Sequence, residues 1–170
     1  MKTNYEQLKE LVFNGARDKK LKFTDSLLNK LNFELSVIEN QDFINYFLLY
    51  SKVIQVCNEL KLLRSYGRGS AASSLVNYCL DITKINPVCE DLIFEIFILP
   101  KHKQFPAIDI DIDIPKGCQK ILIEKLKEKY PEYNSYFIAF TPTYDFENDY
   151  DDVCNGSTIY KKHPCGIIIT

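Results

Sequence analysis

Apolar side chains recur at helical spacing three times before residue 60. In "NYEQLKELVFNGARDKK", Tyr5, Leu8, Leu11 and Val12 share one face, and the segment then meets Gly15 and a basic turn. A second helix, capped by Thr24 or Asp25, carries Leu27, Leu28, Leu31, Phe33, Leu35 and Ile38. The third segment, "QDFINYFLLYSKVIQVCNEL", is apolar around much of its circumference, which predicts a central helix. Its aromatics Phe43, Tyr46, Phe47 and Tyr50 read as core.

Beyond residue 60 the pattern changes. "GRGSAASSLVNYCL" places a Gly-Arg-Gly turn and small residues ahead of an apolar helix, and "NPVCEDLIFEIFILP" predicts another helix ending at Pro100. "FPAIDIDIDIP" alternates isoleucine and aspartate, the period of a strand with one apolar and one acidic face. "KGCQKILIEKLKEKYPEYN" is amphipathic, with Ile121, Leu122 and Leu126 inward and lysines outward. "SYFIAF" and "HPCGIIIT" read as strands, and the acidic "DFENDYDDVCNGS" between them as a mobile loop. This order predicts an α/β or α+β domain with a small sheet.

The chain has 170 residues, enough for one domain with its own core, and a formal net charge of −2. That charge supplies no global basic field for nucleic acid, so any DNA contact needs local patches or other chains. No apolar run is long enough to span a bilayer. The polar N-terminus is unlike a signal peptide, and a cytoplasmic location is the expectation. The six cysteines are scattered without a C-x-x-C pair, which argues for free thiols over a zinc site.

Two motifs could carry chemistry. Carboxylates two residues apart on a strand lie about 6.6 Å apart at Cα and can reach one point above the sheet. Asp109 and Asp111 could thus hold a pair of Mg²⁺ ions, as in in-line phosphoryl transfer. The plainer reading is a hydrated strand face, although aspartate is a poor strand former. In "GRGS", Gly67 and Gly69 let backbone N–H groups approach an anion, Arg68 adds charge and Ser70 offers a hydroxyl. The plainer reading there is a glycine turn with Ser70 as an N-cap. The loop lacks the G-K-[ST] ending of a Walker A motif. Together the two motifs describe a nucleotidyltransferase site.

"YGRGSAASSLVNYCLDITKINPVCEDLIFEIFILPKHKQFPAIDIDI" resembles the catalytic core of the bacterial C-family DNA polymerases, the DNA polymerase III alpha subunits. The family pattern runs from Gly67 to Ile112 without a gap. "FIAFTPT" and "KHPCGIII" are similar to later family elements, and His163 matches a family histidine. The resemblance implies a polymerase beta-like nucleotidyltransferase palm with a small mixed sheet and an N-terminal helical lead-in. It implies one domain over 1–170: a lead-in over 1–60, a nucleotide and metal core over 61–140, an acidic loop over 141–162 in place of most of the thumb, and a terminal strand over 163–170. Gly67, Arg68, Gly69, Ser70 and Ser74 would bind a deoxynucleoside triphosphate. Asp109 and Asp111 would be the catalytic carboxylates and the ligands of two Mg²⁺, with Asp113 a spare. Primer–template DNA would be bound only with other domains or subunits, and no membrane.

The sequence also departs from the family pattern. Ala107 stands for an aspartate, Ser73 for a glycine, Ile96 for an arginine, and Lys101 with His102 for a Glu-Arg pair. The family's third catalytic carboxylate is expected past the segment matched by "HPCGIII". Three readings stay open: a polymerase palm whose DNA synthesis is weak or absent in this chain alone, an inactive nucleotide- and metal-binding module, and a protein-interaction module that retained the fold.

Overall fold

The computed structural model describes residues 2–99, 110, 112–115, 117–132, 135–140 and 163–169. The chain falls into two compact units, Met1–Asp113 and Ile114–Thr170.

The first unit opens with the three expected helices. α1 (Asn4–Asp18) starts at a capping box: Thr3 accepts from the Glu6 N–H while the Glu6 carboxylate accepts from the Thr3 N–H at 2.7 Å. α2 (Asp25–Asn40) starts at Thr24, whose hydroxyl accepts from Leu27 N at 3.3 Å. α3 (Ile44–Glu59) follows after a tight turn. A five-residue helix, α4 (Leu75–Cys79), comes later and packs against both α1 and α2. The core joins Leu8 and Val12 of α1, Leu31, Leu35 and Ile38 of α2, Phe47 of α3 and Leu75 and Val76 of α4.

Gly15 does not end α1. It lies inside the helix, where an added Cβ would sit 1.9 Å from the Cys79 carbonyl oxygen of α4. The absence of a side chain lets two backbones meet there.

All four helices stop in one way. Lys20, Asp42, Lys61 and Asp81, each two residues past a helix, have φ of 55°, 62°, 51° and 60°. The next residue reaches back in the Schellman pattern: Leu21 N to Ala16 O, Phe43 N to Ile38 O, Leu62 N to Cys57 O and Ile82 N to Asn77 O. Each of those residues is apolar, as the motif favours, yet none of the four left-handed residues is glycine.

The helix expected over 86–99 is corrected to a short turn and a 3-10 helix at Phe94–Ile96. The Asn86 side chain accepts from Val88 N, and the chain makes one turn. Asp91 then enters the left-handed region at φ 50° while Leu92 N donates to Pro87 O at 2.9 Å, so the turn ends as the helices do. Side chains tie this segment to the bundle. Lys30 Nζ donates to Leu92 O and Gln41 Nε2 to Leu99 O, both at 3.1 Å. Phe94 meets Phe33 edge-on, and Phe97 meets Phe47, with centroids 6.1 and 6.4 Å apart.

In the second unit, α5 (Cys118–Lys129) packs on an antiparallel pair of strands, β1 (Ser135–Phe140) and β2 (His163–Ile169). Ile121 is 50% exposed, and the buried face of α5 is instead Leu122, Ile123 and Leu126. The strand register shifts between Ile138, opposite Gly166, and Ala139, opposite Pro164. The bulge falls beside a proline that has no N–H to give the ladder.

The expected α/β palm with a small mixed sheet is overturned. The elements described in the first unit are helical, and the sheet among the described residues is a two-stranded antiparallel pair in the second unit. The described part of the Ile-Asp segment, Ile110 and Ile112–Pro115, is irregular. Aspartate disfavours strands, and flanking prolines remove ladder donors. The pattern does predict sidedness there: Ile110 is buried, Ile112 packs against the core, and Asp113 faces solvent. No helix among the described residues is long and apolar enough to cross a membrane.

Candidate functional site

The Gly67–Ser70 segment leads into a 3-10 helix at Gly69–Ser73, directly before α4. Gly67 is buried and donates its N–H to Ile82 O at 2.8 Å; an added Cβ would lie 3.3 Å from that oxygen and from Thr83 Cγ2. Gly69 has φ +64° and is exposed, with open space where a Cβ would be. One glycine is thus favoured by close packing and the other by backbone conformation.

Ser70 is half-buried, and its hydroxyl makes no hydrogen bond among the described residues; its carbonyl accepts from Ser73 Oγ at 2.7 Å. Arg68 is exposed and paired with the Asp113 carboxylate. Asp113 is anchored through its backbone: its N–H donates to Ser65 Oγ at 2.7 Å and its carbonyl accepts from Ser65 N at 2.8 Å. Asp109 and Asp111 lie outside the described residues, as does the acidic loop over 141–162. The described residues hold no group of three or more His, Cys, Asp or Glu side chains that could bind a metal.

Ser74 is fully buried and lies behind the turn. It is the N-cap of α4, accepting from Asn77 N at 3.1 Å and donating its hydroxyl to Glu34 Oε2 at 3.0 Å. The Glu34 carboxylate also accepts from Leu75 N at 3.1 Å and Val76 N at 3.0 Å. The start of α4 is therefore already filled by a carboxylate of this chain, and the N–H groups expected to face an external anion there are satisfied internally. Burial pushes Glu34 up to about 7, against the pull of those three hydrogen bonds and of Lys30.

The signal for Glu34 is present in the sequence. It stands on the stripe Leu27, Leu31, Leu35 and Ile38, where a charge is out of place, but its apolar neighbours make that stripe read as core alone.

A second group lies beside the turn. Arg64, with its side chain 5% exposed, donates to the Asp81 carbonyl at 3.0 Å and carboxylate at 2.6 Å, and its guanidinium lies 4.7 Å from the Tyr66 ring centre. Lys84 Nζ is 5.2 Å from the same ring. Lys19 reaches Asp81 at 3.1 Å and lies over Tyr78 at 4.6 Å. Asp81 is in the left-handed conformation, and its carboxylate meets both cations. No sequence pattern marks that convergence, because Lys19, Arg64 and Asp81 are far apart along the chain.

Residues 5–162 match the family model described as the bacterial DNA polymerase III alpha NTPase domain. The chain is 40% identical over 141 residues to the DNA polymerase III subunit alpha of Ureaplasma parvum, covering 79% of this chain and 14% of that protein. It is 35% identical over 125 residues to the Bacillus subtilis protein of the same name, covering 74% and 11%. An error-prone DNA polymerase of Bdellovibrio bacteriovorus is 33% identical over 138 residues, covering 81% and 13%. The chain thus spans only a small part of the length of these relatives.

Proposed function

The chain belongs to the bacterial DNA polymerase III alpha NTPase domain family, and from that premise we propose that it is the nucleotide-binding part of a DNA-synthesising enzyme. Its ligand is a deoxynucleoside triphosphate, and primer–template DNA is engaged together with other domains or subunits. The observation that carries this reading is the Gly67–Ser70 turn. Both glycines answer to backbone demands, and Ser70 keeps a hydroxyl with no partner among the described residues.

In this reading the turn's backbone approaches the phosphates and Ser70 donates to a phosphate oxygen. Arg68 exchanges its Asp113 carboxylate for a phosphate, a charge-assisted bond of similar kind. Ser74, committed to Glu34 and Asn77, acts by holding the turn. Asp109 and Asp111 are the residues that would hold Mg²⁺; Asp113 is engaged by Arg68 and by Ser65 and is the poorer candidate. Bound there, Mg²⁺ would lower the pKa of an attacking hydroxyl and neutralise charge on the phosphoryl oxygens.

Calorimetric titration of Mg²⁺-dATP into the chain and into the Asp109→Asn/Asp111→Asn double variant tests the reading. Binding that needs both the metal and the aspartates is the expected result. Binding indifferent to the double substitution removes the metal assignment, and no binding by the unaltered chain removes the nucleotide reading.

One observation favours a second reading, a protein-interaction module derived from the polymerase. Ile85, Val88, Ile93, Ile96 and Leu99 are all at least 44% exposed along one irregular segment. Under that reading neither nucleotide nor Mg²⁺ binds.

A further inference from the structure

Glu34 is a fully buried carboxylate that the function proposed above leaves unexplained. Burying a charge is costly unless its hydrogen-bonding capacity is met, and a leucine would fill the same stripe without that cost. Here the capacity is met by three consecutive residues, Ser74, Leu75 and Val76, forty to forty-two positions away in sequence.

From Ser74 the hydrogen bonds run on toward the turn. Ser74 Oγ accepts from Asn77 N, and the Asn77 amide donates to Ala71 O at 3.0 Å. Ser73 Oγ ties back to Ser70 O. At the other end, Asn77 O accepts from Ile82 N, and Ile82 O accepts from Gly67 N. Glu34 therefore sits at the root of a network that reaches Gly67 through hydrogen bonds and Ser70 through its chain neighbours Ala71 and, by way of Ser74, Ser73.

We infer that Glu34 is a positioning residue for the phosphate-facing turn: by gripping the Ser74 hydroxyl and the Leu75 and Val76 N–H groups, it fixes where Ser70 meets a nucleotide. This rests on the nucleotide reading above. An ionised carboxylate can accept from all three donors, whereas proton uptake converts one oxygen into a donor and weakens the grip. The charged and titratable groups facing Glu34 are Lys30 on its own helix and Cys79 on α4. Burial first, and then the Glu34 charge, push the Cys79 thiol up to about 12 against the pull of Lys19, so it stays neutral. Of Glu34 and Cys79, Glu34 is thus the one pushed toward neutrality.

The test follows backbone amide NMR signals of the full chain from about pH 5.5 to about 8.5, with Mg²⁺-dATP affinity measured alongside in the unaltered chain, Glu34→Gln and Ser74→Ala. The expected result is one shared midpoint near neutrality for Leu75, Val76 and the Gly67–Ser70 amides. Affinity should be roughly tenfold weaker below that midpoint, the loss expected when one hydrogen bond to a charged group goes. Glu34→Gln should abolish the midpoint and hold affinity at the weak level throughout. Ser74→Ala, which leaves the carboxylate in place, should weaken affinity while Leu75 and Val76 still titrate; it also carries the test if Glu34→Gln fails to fold.

The inference is overturned if Leu75 and Val76 titrate without Gly67–Ser70, or if Glu34→Gln binds nucleotide as the unaltered chain does. Shared titration with no nucleotide binding at any pH overturns the nucleotide reading and Glu34's role in it, while leaving the grip on the turn as a measured fact. Nucleotide binding without shared titration keeps that reading and overturns the inference alone.

Discussion

Gly67 suits a close approach and Gly69 a left-handed backbone, and at Glu34 the surroundings set the protonation state. The Glu34 value of about 7 lies above the ordinary 4.5, so between those values the folded chain holds a proton that the unfolded chain releases. The stability this contributes is fully present below about pH 4.5 and is lost as pH rises toward about 7, a change on the order of 3 kcal/mol. Urea midpoints across that range should fall with rising pH, and Glu34→Gln should lack this component of the slope. A slope equal in both proteins would place the proton elsewhere. The glycine turn was legible as a turn because glycine spacing is a local signal. The role of Ser74 was less legible, since its partner Glu34 is forty positions away and long-range partners leave no local mark. The Ile-Asp alternation correctly predicts that Ile110 and Ile112 face the core and Asp113 faces solvent, but not a strand, because sidedness needs only an extended chain while a strand needs a ladder.

The starts of α1 and α2 were readable, whereas the cap of α4 is Ser74 and not the Ser70 that the sequence offered, and helix ends were not readable. Thr3 and Thr24 announce α1 and α2 through side chains that accept from the first turn, so Thr3→Ala should cost about 1 kcal/mol, seen as a lower urea midpoint. The ends use left-handed Lys20, Asp42, Lys61 and Asp81 in place of the glycine that would have signalled them. A left-handed non-glycine residue costs roughly 1 kcal/mol, so Lys20→Gly and Lys61→Gly should each raise the denaturation midpoint, opposite to the usual effect of adding glycine. If either lowers it, the extra freedom of the unfolded chain outweighs the relief. The same device explains the lost helix over 86–99: apolar spacing there suggests a helix, but Asp91 ends it after one turn. Gly15 misleads in the other direction, reading as a stop signal where it is a contact.

A molecule of net charge −2 has no long-range attraction for DNA, and two of its cations beside the glycine turn, Arg64 and Lys19, are already paired with Asp81. Binding of primer–template DNA by this chain alone should therefore be weak and lost by about 0.2 M salt, as fluorescence anisotropy would report. Tight binding that survives salt would point to base stacking, with Tyr66 the first residue to replace. At this scale the helical bundle was legible from periodicity, while the α/β palm with a mixed sheet, expected from the order of elements and from the family resemblance alike, is not what the described residues build. The contact at Gly15 bears on how such a molecule can vary. Two helices meet there backbone to backbone, 1.9 Å from where a methyl group would stand. The single position is a gauge: a related chain carrying alanine or anything larger at the equivalent place must hold its first helix farther from α4, and one letter of its sequence reports that wider spacing.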